Sequence, residues 1–194
     1  MWYFEKVQRS YTRMRLHTFS LTALLVLFSA SAIPASGIAA DASSLQLSSS
    51  ALANGAVIPT QYTCNGAEES PPLTWTGVPG NAKSLALIVE DPDAPSGNFV
   101  HWVVYNIPST KQGMNGKKPG RLFPGGGEEG MNGAGKMGYL GPCPPPGSPH
   151  HYHFKLFALD KNLNLGLQPD SKSVRDAMKG HVIANAEFIG IFSR

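Results

Sequence analysis

The 194-residue chain is predicted to fold as a mostly β protein, an antiparallel β-sandwich with one or two short helices and long loops. Apolar and polar residues alternate in several short segments, which is typical of half-buried strands. The 21 glycines and 16 prolines are concentrated between these segments, where they favour turns and irregular loops. Only one segment, near the C-terminus, has the features of a helix. Short strands separated by such loops favour a sandwich.

The first forty residues are predicted to be a signal peptide. Basic residues occupy positions 6–15, an apolar run occupies 21–28, and small residues follow up to Ala40, an order that is typical of secretion signals. The alternative is an uncleaved anchor, but the apolar run is shorter than the roughly 20 residues that span a membrane. Met14 is an alternative start of the same signal. The mature chain would begin at Ala40 or Asp41, reside in the periplasm or outside the cell, and keep no integral membrane segment.

The net charge of +3 is concentrated in this targeting segment. Residues 1–40 contain four basic residues and one acid, so the remaining chain has 12 of each and no net charge. A neutral domain without a cluster of basic residues gives no argument for nucleic-acid binding. We therefore expect no nucleic-acid partner. Residues 41–194 are expected to form a single domain.

The strands can be placed along the chain from apolar alternation and from turn residues. A first strand is expected near residues 45–52, and a short one at 73–75 lies between two Pro/Gly turns. Residues 84–90 are almost continuously apolar, and 100–107 are rich in β-branched and aromatic residues, which favours strands. The last two strands are expected at 150–159 and 181–192.

Two segments between these strands differ from the rest. Residues 108–138 contain many glycines and are expected to be a long functional or mobile loop. A short helix is expected to begin at Ser173, where Ser173 and Asp176 have the spacing of a capping box, and to end at Gly180.

The two cysteines, Cys64 and Cys143, both lie in the part of the chain that is predicted to be exported. An oxidising compartment allows them to form a disulfide, and we expect that they do. The alternative is two separate thiols. A catalytic thiol is not expected, because Cys143 is surrounded by prolines and nothing in the sequence would lower its pKa.

Two stiff proline loops, each followed by a strand that opens on histidine, are predicted to form one site. The first runs from Asp91 to Pro95 and leads to His101. The second runs from Gly141 to Pro149 and leads to His150 and Tyr152. Proline holds such loops rigid, and binding residues concentrate in loops on rigid scaffolds.

Three chemistries could use these polar groups. A metal site is disfavoured, because a strand would place His150 and Tyr152 on one face and His151 and His153 on the other. A hydrolase could use Ser148 with His150 and Asp91, but no nucleophile elbow is present. Histidine, a tyrosine hydroxyl and loop N–H groups could together hold an anion. The structural alternative is that Asp91 and Asp93 only form Asx turns.

These motifs resemble the phosphatidylethanolamine-binding protein family, and more closely its bacterial Raf-kinase-inhibitor-like branch. The similarity covers residues 45–194. It includes Tyr62-Thr63-Cys64-Asn65-Gly66, Ser70-Pro71-Pro72-Leu73-Thr74-Trp75, Asp91-Pro92-Asp93-Ala94-Pro95, His101-Trp102-Val103-Val104-Tyr105-Asn106, the Gly141–Gly147 loop, His150-His151-Tyr152 and the ending 180–194. The resemblance implies a β-sandwich with a small anion pocket at one end. Its ligand-binding roles fall on Asp91, His101, Gly141, Pro142, His150 and Tyr152.

The function implied is that of a non-enzymatic binding protein with no cofactor. It would hold a phosphoryl or other small anionic group from a lipid headgroup, a phosphorylated partner or a metabolite, and it could regulate a partner protein. The alternative is a hydrolase or a metal-dependent enzyme that uses the His/Asp cluster.

Overall fold

The computed structural model describes residues 44–116 and 126–194, so the predicted signal peptide lies outside the described part of the chain. In these two ranges the secondary structure is dominated by strands, with one short α-helix and one turn of 3₁₀ helix at Thr60–Tyr62. The elements of the described residues are β1 (Gln46–Ser48), β2 (Ala56–Val57), β3 (Leu73–Thr76), β4 (Ser84–Asp91), β5 (Phe99–Pro108), β6 (Gly113–Met114), β7 (Glu128–Glu129), β8 (His150–Leu159), α1 (Ser171–Met178) and β9 (Val182–Phe192).

The larger sheet has six strands in the order β2-β9-β8-β4-β5-β7. Its pairs are antiparallel except β2 with β9, which is parallel. All eight residues of β4 are buried, because β8 and β5 flank the strand and both faces of the sheet are covered. This explains why residues 84–90 have an apolar run instead of an alternating pattern.

The smaller sheet has three strands in the order β1-β3-β6 and supplies the second layer of the sandwich. Leu47 on β1 and Trp75 on β3 belong to one buried cluster with Leu87 on β4 and Phe154 and Leu156 on β8. The mostly antiparallel sandwich predicted from the sequence is confirmed.

The opposite face of the large sheet is covered by α1. Val174 and Met178 of the helix join Ala86 and Ile88 of β4 in a second buried cluster. Glu90, on the same face of β4, is buried and binds Arg175 of the helix and Lys155 of β8. These cations and hydrogen bonds lower the pKa of Glu90, although burial acts in the opposite direction.

The helix begins two residues earlier than expected, and its cap is different. Asp170, not Ser173, is the N-cap residue: its carboxylate accepts a hydrogen bond from the Ser173 N–H at 2.8 Å. Both residue types cap well, so the sequence pattern alone did not distinguish them. Gly180 follows the helix end with a φ of 76°, in the left-handed region that glycine adopts readily.

Two further predictions, one of a strand and one of a loop, need correction. The first strand is Gln46–Ser48, shorter than the predicted 45–52, because the chain then turns away towards β2. The segment 108–138 is not structureless, since its described part contains β6, β7 and a bridge between Met131 and Met137. Glycine dilutes the periodicity on which such short strands could be recognised.

Candidate functional site: a polar cavity at one end of the large sheet

Strand direction brings the two proline loops together. β4 ends at Asp91, and its antiparallel neighbours β5 and β8 both begin at this end of the sheet. Asp91 pairs with Phe99 in the β4–β5 register, and Glu90 pairs with His153 in the β4–β8 register. The end of one strand and the starts of two others therefore converge, although they are far apart in the sequence.

Asp91 and His150 form a buried pair at this convergence. The Nδ1 atom of His150 lies 2.8 Å from Oδ2 of Asp91, and both side chains are less than a tenth exposed. Oδ1 of Asp91 accepts the N–H of Asp93 at 2.9 Å, so the predicted Asx turn is present as well. A carboxylate only accepts hydrogen bonds, so Nδ1 of His150 carries the proton. Asp91 thus fixes the ring and leaves Nε2 free to act as an acceptor or, when protonated, as a donor.

His101 is held in the same tautomer by a different acceptor. Its Nδ1 atom lies 2.8 Å from the carbonyl oxygen of Leu140, which can only accept. Burial lowers the pKa of His101, while the hydrogen bond to Leu140 and the charge of Asp91 oppose that shift. The ring is therefore neutral at pH 7, with Nε2 as a lone-pair acceptor.

Tyr152 has a polar atom that no neighbour satisfies. The side chain is fully buried, and among the described residues its hydroxyl has no hydrogen-bond partner. Its ring packs edge-on against His101, with centroids 5.1 Å apart. Burial, with the negative charges of Asp91 and Asp93, raises the pKa of the phenol, so it remains protonated. An unsatisfied buried hydroxyl is costly, and Tyr152 is one of the residues that line a cavity at this end of the sheet.

The Gly141 loop closes the site and is tied to the 62–64 segment. A Cβ on Gly141 would lie 2.9 Å from the carbonyl carbon of Thr63, so only glycine allows this approach. The N–H of Cys64 donates to the Pro142 carbonyl at 3.1 Å. Cys64 and Cys143 form a disulfide with a Cα–Cα distance of 5.4 Å, as predicted.

These groups surround a cavity of about 340 Å³. Five of the six predicted ligand-binding residues line it, and Pro142, which is buried, does not. Several of the other lining residues belong to the two proline loops that the sequence indicated. No pattern in the sequence indicated that Cys64, Glu68, Ser96, Phe99 and Leu140 complete the wall. The cavity is lined by Cys64, Glu68, Asp91, Ala94, Pro95, Ser96, Phe99, His101, Leu140, Gly141, Cys143, Pro144, Pro145, His150 and Tyr152.

The C-terminal residue was also missed. The Arg194 Nε–H donates to the Pro144 carbonyl at 2.6 Å, and the Gly147 N–H donates to the Arg194 carbonyl oxygen at 3.4 Å. Arg194 therefore anchors the proline loop at two points. No local pattern could have indicated this, because the contact joins residues 50 positions apart.

The remaining polar residues of the two motifs have structural partners elsewhere. His151 donates its backbone N–H to Asp93 Oδ2, and its Nδ1 lies 2.7 Å from the same oxygen. This largely exposed pair lowers the pKa of Asp93 and connects the first loop to β8. His153 pairs with Glu187 on β9. As expected from strand alternation, neither histidine lines the cavity.

A second, larger cavity of about 580 Å³ lies beside β7. Glu129, one of the residues that line it, is buried, and its Oε2 atom has no hydrogen-bond partner among the described residues. Both Glu128 oxygens accept hydrogen bonds, one from the Tyr105 hydroxyl and one from Asn106. The smaller cavity is the better candidate for an anion, because its unpartnered buried atom is a hydroxyl donor, whereas that of the larger cavity is a carboxyl oxygen. Within residues 44–116 and 126–194, no three His, Cys, Asp or Glu side chains come together as metal ligands. In the same part of the chain, no helix is long and apolar enough to cross a membrane.

Because the pKa of His101 is lowered in the folded protein, we expect the free energy of unfolding to decrease at acidic pH. The unfolded chain has a histidine pKa of about 6.5, so below that pH it binds protons that the folded state does not. Stability should fall as pH drops through 6.5, by at most about 1.4 kcal/mol per pH unit, and this decrease should level off below the folded pKa. Urea unfolding between pH 7.5 and 5 measures it. In His101→Gln, which retains a donor for Leu140, the fall should be smaller; an identical pH profile would contradict the assignment.

A sandwich whose large sheet has a cavity at one end, walled by two proline loops, is the architecture that the sequence motifs led us to expect. The sequence profile of the phosphatidylethanolamine-binding protein family matches residues 48–193. The chain belongs to this family, and the resemblance inferred from the motifs is confirmed.

Individual relatives agree with this assignment. A UPF0098 protein of Methanothermobacter thermautotrophicus is 51% identical over 139 residues, which cover 71% of this chain and 91% of the relative. A crystal structure of CT736 from Chlamydia trachomatis, described as a homologue of phosphatidylethanolamine-binding proteins, has a TM-score of 0.71 and 39% identity, over 78% of this chain and 98% of that one. YbcL of E. coli, described as a new member of the mammalian family, has a TM-score of 0.71 and 33% identity, over 78% and 99%.

Proposed function

We propose that the protein is an exported, non-enzymatic binding protein that holds a phosphoryl or other small anionic group in the cavity at the end of β4. The observation that carries the proposal is the buried Tyr152 hydroxyl without a partner. An anionic oxygen placed against it would satisfy the donor. A lipid headgroup, a phosphorylated partner or a metabolite could each supply that oxygen, and regulation of a partner protein would follow from binding such a group.

The surroundings support a binding role. Asp91 fixes the ring of His150, and the Leu140 carbonyl fixes the ring of His101. The disulfide and, separately, Arg194 hold the proline loop in place. Few side chains and little of the loop therefore need to be ordered when a ligand enters. The hydrolase alternative has less support, because the exposed Ser148 is not among the residues that line the cavity. The family whose profile matches residues 48–193 is named for the binding of phosphatidylethanolamine.

Removing one hydroxyl tests the proposal. Tyr152→Phe should weaken binding of phenyl phosphate at pH 6 by roughly 1.5–3 kcal/mol, about 10- to 150-fold, because a charge-assisted hydrogen bond is lost. The fold should keep or slightly gain stability, since an unsatisfied buried group disappears. Tyr105→Phe is the matched control, as its hydroxyl binds Glu128 outside this cavity. Isothermal calorimetry is the measurement, and equal affinities in Tyr152→Phe and the wild type would overturn the proposal.

Export is a separate part of the proposal, supported by the order of charge and hydropathy in residues 1–40. We expect the mature protein to begin at Ala40 or Asp41. Intact-mass measurement of protein recovered from a bacterial periplasmic fraction checks this. A mass that includes residues 1–40 would show that the segment is retained.

A further inference from the structure

The charges around the cavity are unusual for an anion site. Among the described residues that line it, Glu68 and Asp91 are acids and none is lysine or arginine. Arg194 is not among the lining residues, and its Nε–H is used by Pro144. Its positive charge reaches Tyr152, where it opposes the rise of the phenol pKa without cancelling it.

The two acids are held differently. Asp91 is buried and bound by His150 and by the Asp93 N–H, so its charge is part of the rigid site. Glu68 is half-buried on the wall, in a left-handed backbone conformation with φ of 52°, and has no described hydrogen bond or ion pair of its side chain. Its charge is therefore not neutralised by a neighbour, and it contributes to the electrostatic environment of Tyr139.

We propose that Glu68 makes the cavity selective for singly charged anions, such as phosphodiesters and carboxylates, over doubly charged phosphate monoesters. This inference rests on the proposed function. A donor such as the Tyr152 hydroxyl meets a single anionic oxygen of the ligand, whereas repulsion from a carboxylate on the cavity wall grows in proportion to the total charge of the ligand. The apolar wall, which includes Phe99, Leu140 and Pro145, suits an apolar substituent on the anion.

Two probes that share a phenyl ring and a phosphate group but differ in charge test this selectivity. Methyl phenyl phosphate is a diester with one charge at any working pH, and phenyl phosphate is doubly charged at pH 8, above its second pKa of about 6. Calorimetry at pH 8 should show tighter binding of the diester by the wild type. A lipid supplies a diester and a phosphorylated side chain supplies a monoester, so the same comparison distinguishes the two sources of the ligand.

Glu68→Gln removes the charge and keeps the size of the side chain. If it strengthens diester binding by a factor of about three to ten, it should strengthen monoester binding by roughly the square of that factor. Glu69→Gln is the matched control: Glu69 is exposed, adjacent in sequence and absent from the cavity wall, and its substitution should change neither affinity appreciably.

The outcomes separate the two proposals. If neither probe binds the wild type, anion binding itself is wrong. If both bind but the wild type prefers the monoester, or Glu68→Gln leaves the ratio of the two affinities unchanged, only the role of Glu68 is overturned. The role of Glu68 is supported if the ratio of diester affinity to monoester affinity decreases in Glu68→Gln and stays unchanged in Glu69→Gln.

Discussion

Replacing both cysteines with serine should lower the free energy of unfolding by about 4–5 kcal/mol in the chain-entropy estimate. The disulfide joins residues 79 positions apart, so its loss releases a long loop in the unfolded chain. The loss should also loosen the Gly141 loop, because Cys143 is its covalent connection to the 62–64 segment. Urea unfolding of oxidised wild type and of the Cys64→Ser/Cys143→Ser variant measures the difference.

Reduction of the wild type provides the control. A phosphine reductant should destabilise the wild type towards the double variant and leave the double variant unchanged. Titration of denatured, unreduced protein should find no free thiols. Two titratable thiols, or a wild-type free energy of unfolding that the reductant does not change, would contradict the disulfide.

His150→Ala should weaken binding of phenyl phosphate by roughly 1.5–3 kcal/mol if the imidazole makes a charge-assisted hydrogen bond to the ligand. The Asp91 side chain is 4% exposed and would lose its partner, so stability should also fall, by about 1–3 kcal/mol.

Two further variants separate binding from folding. His150→Gln retains a donor for Asp91 and lacks the imidazole, so it should recover stability without recovering affinity. His181→Ala removes an exposed histidine paired with Asp160, far from the cavity wall, and should leave affinity unchanged. Wild-type affinity in a folded His150→Gln protein would show that the ring only supports Asp91.

The parts of the fold that could be predicted are those with strong local patterns. β4, β5 and β8 were placed within one or two residues, because an apolar run marks β4, β-branched and aromatic residues mark β5, and alternation marks β8. The parallel pairing of β2 with β9 could not be predicted. It joins two residues near position 56 to the end of the last strand, and no local pattern records such a contact.

The residues of the site likewise divide into those that the sequence indicated and those that it did not. Asp91, His101, His150 and Tyr152 are chemically distinctive residues beside proline loops, and the sequence brought them to notice. Glu68 and Leu140 come from irregular segments, and their roles depend on position alone: one supplies a wall charge and the other a backbone carbonyl. A carbonyl acceptor is present in every residue, so its use here has no signature in the sequence.

A crystal structure of the protein with phenyl phosphate bound at pH 6 tests most directly whether the cavity holds an anion. We expect a phosphoryl oxygen within hydrogen-bond distance of the Tyr152 hydroxyl, about 2.5–3.0 Å, with the phenyl ring against the apolar wall. Ligand density at another surface, with the Tyr152 hydroxyl still unpartnered, would contradict it.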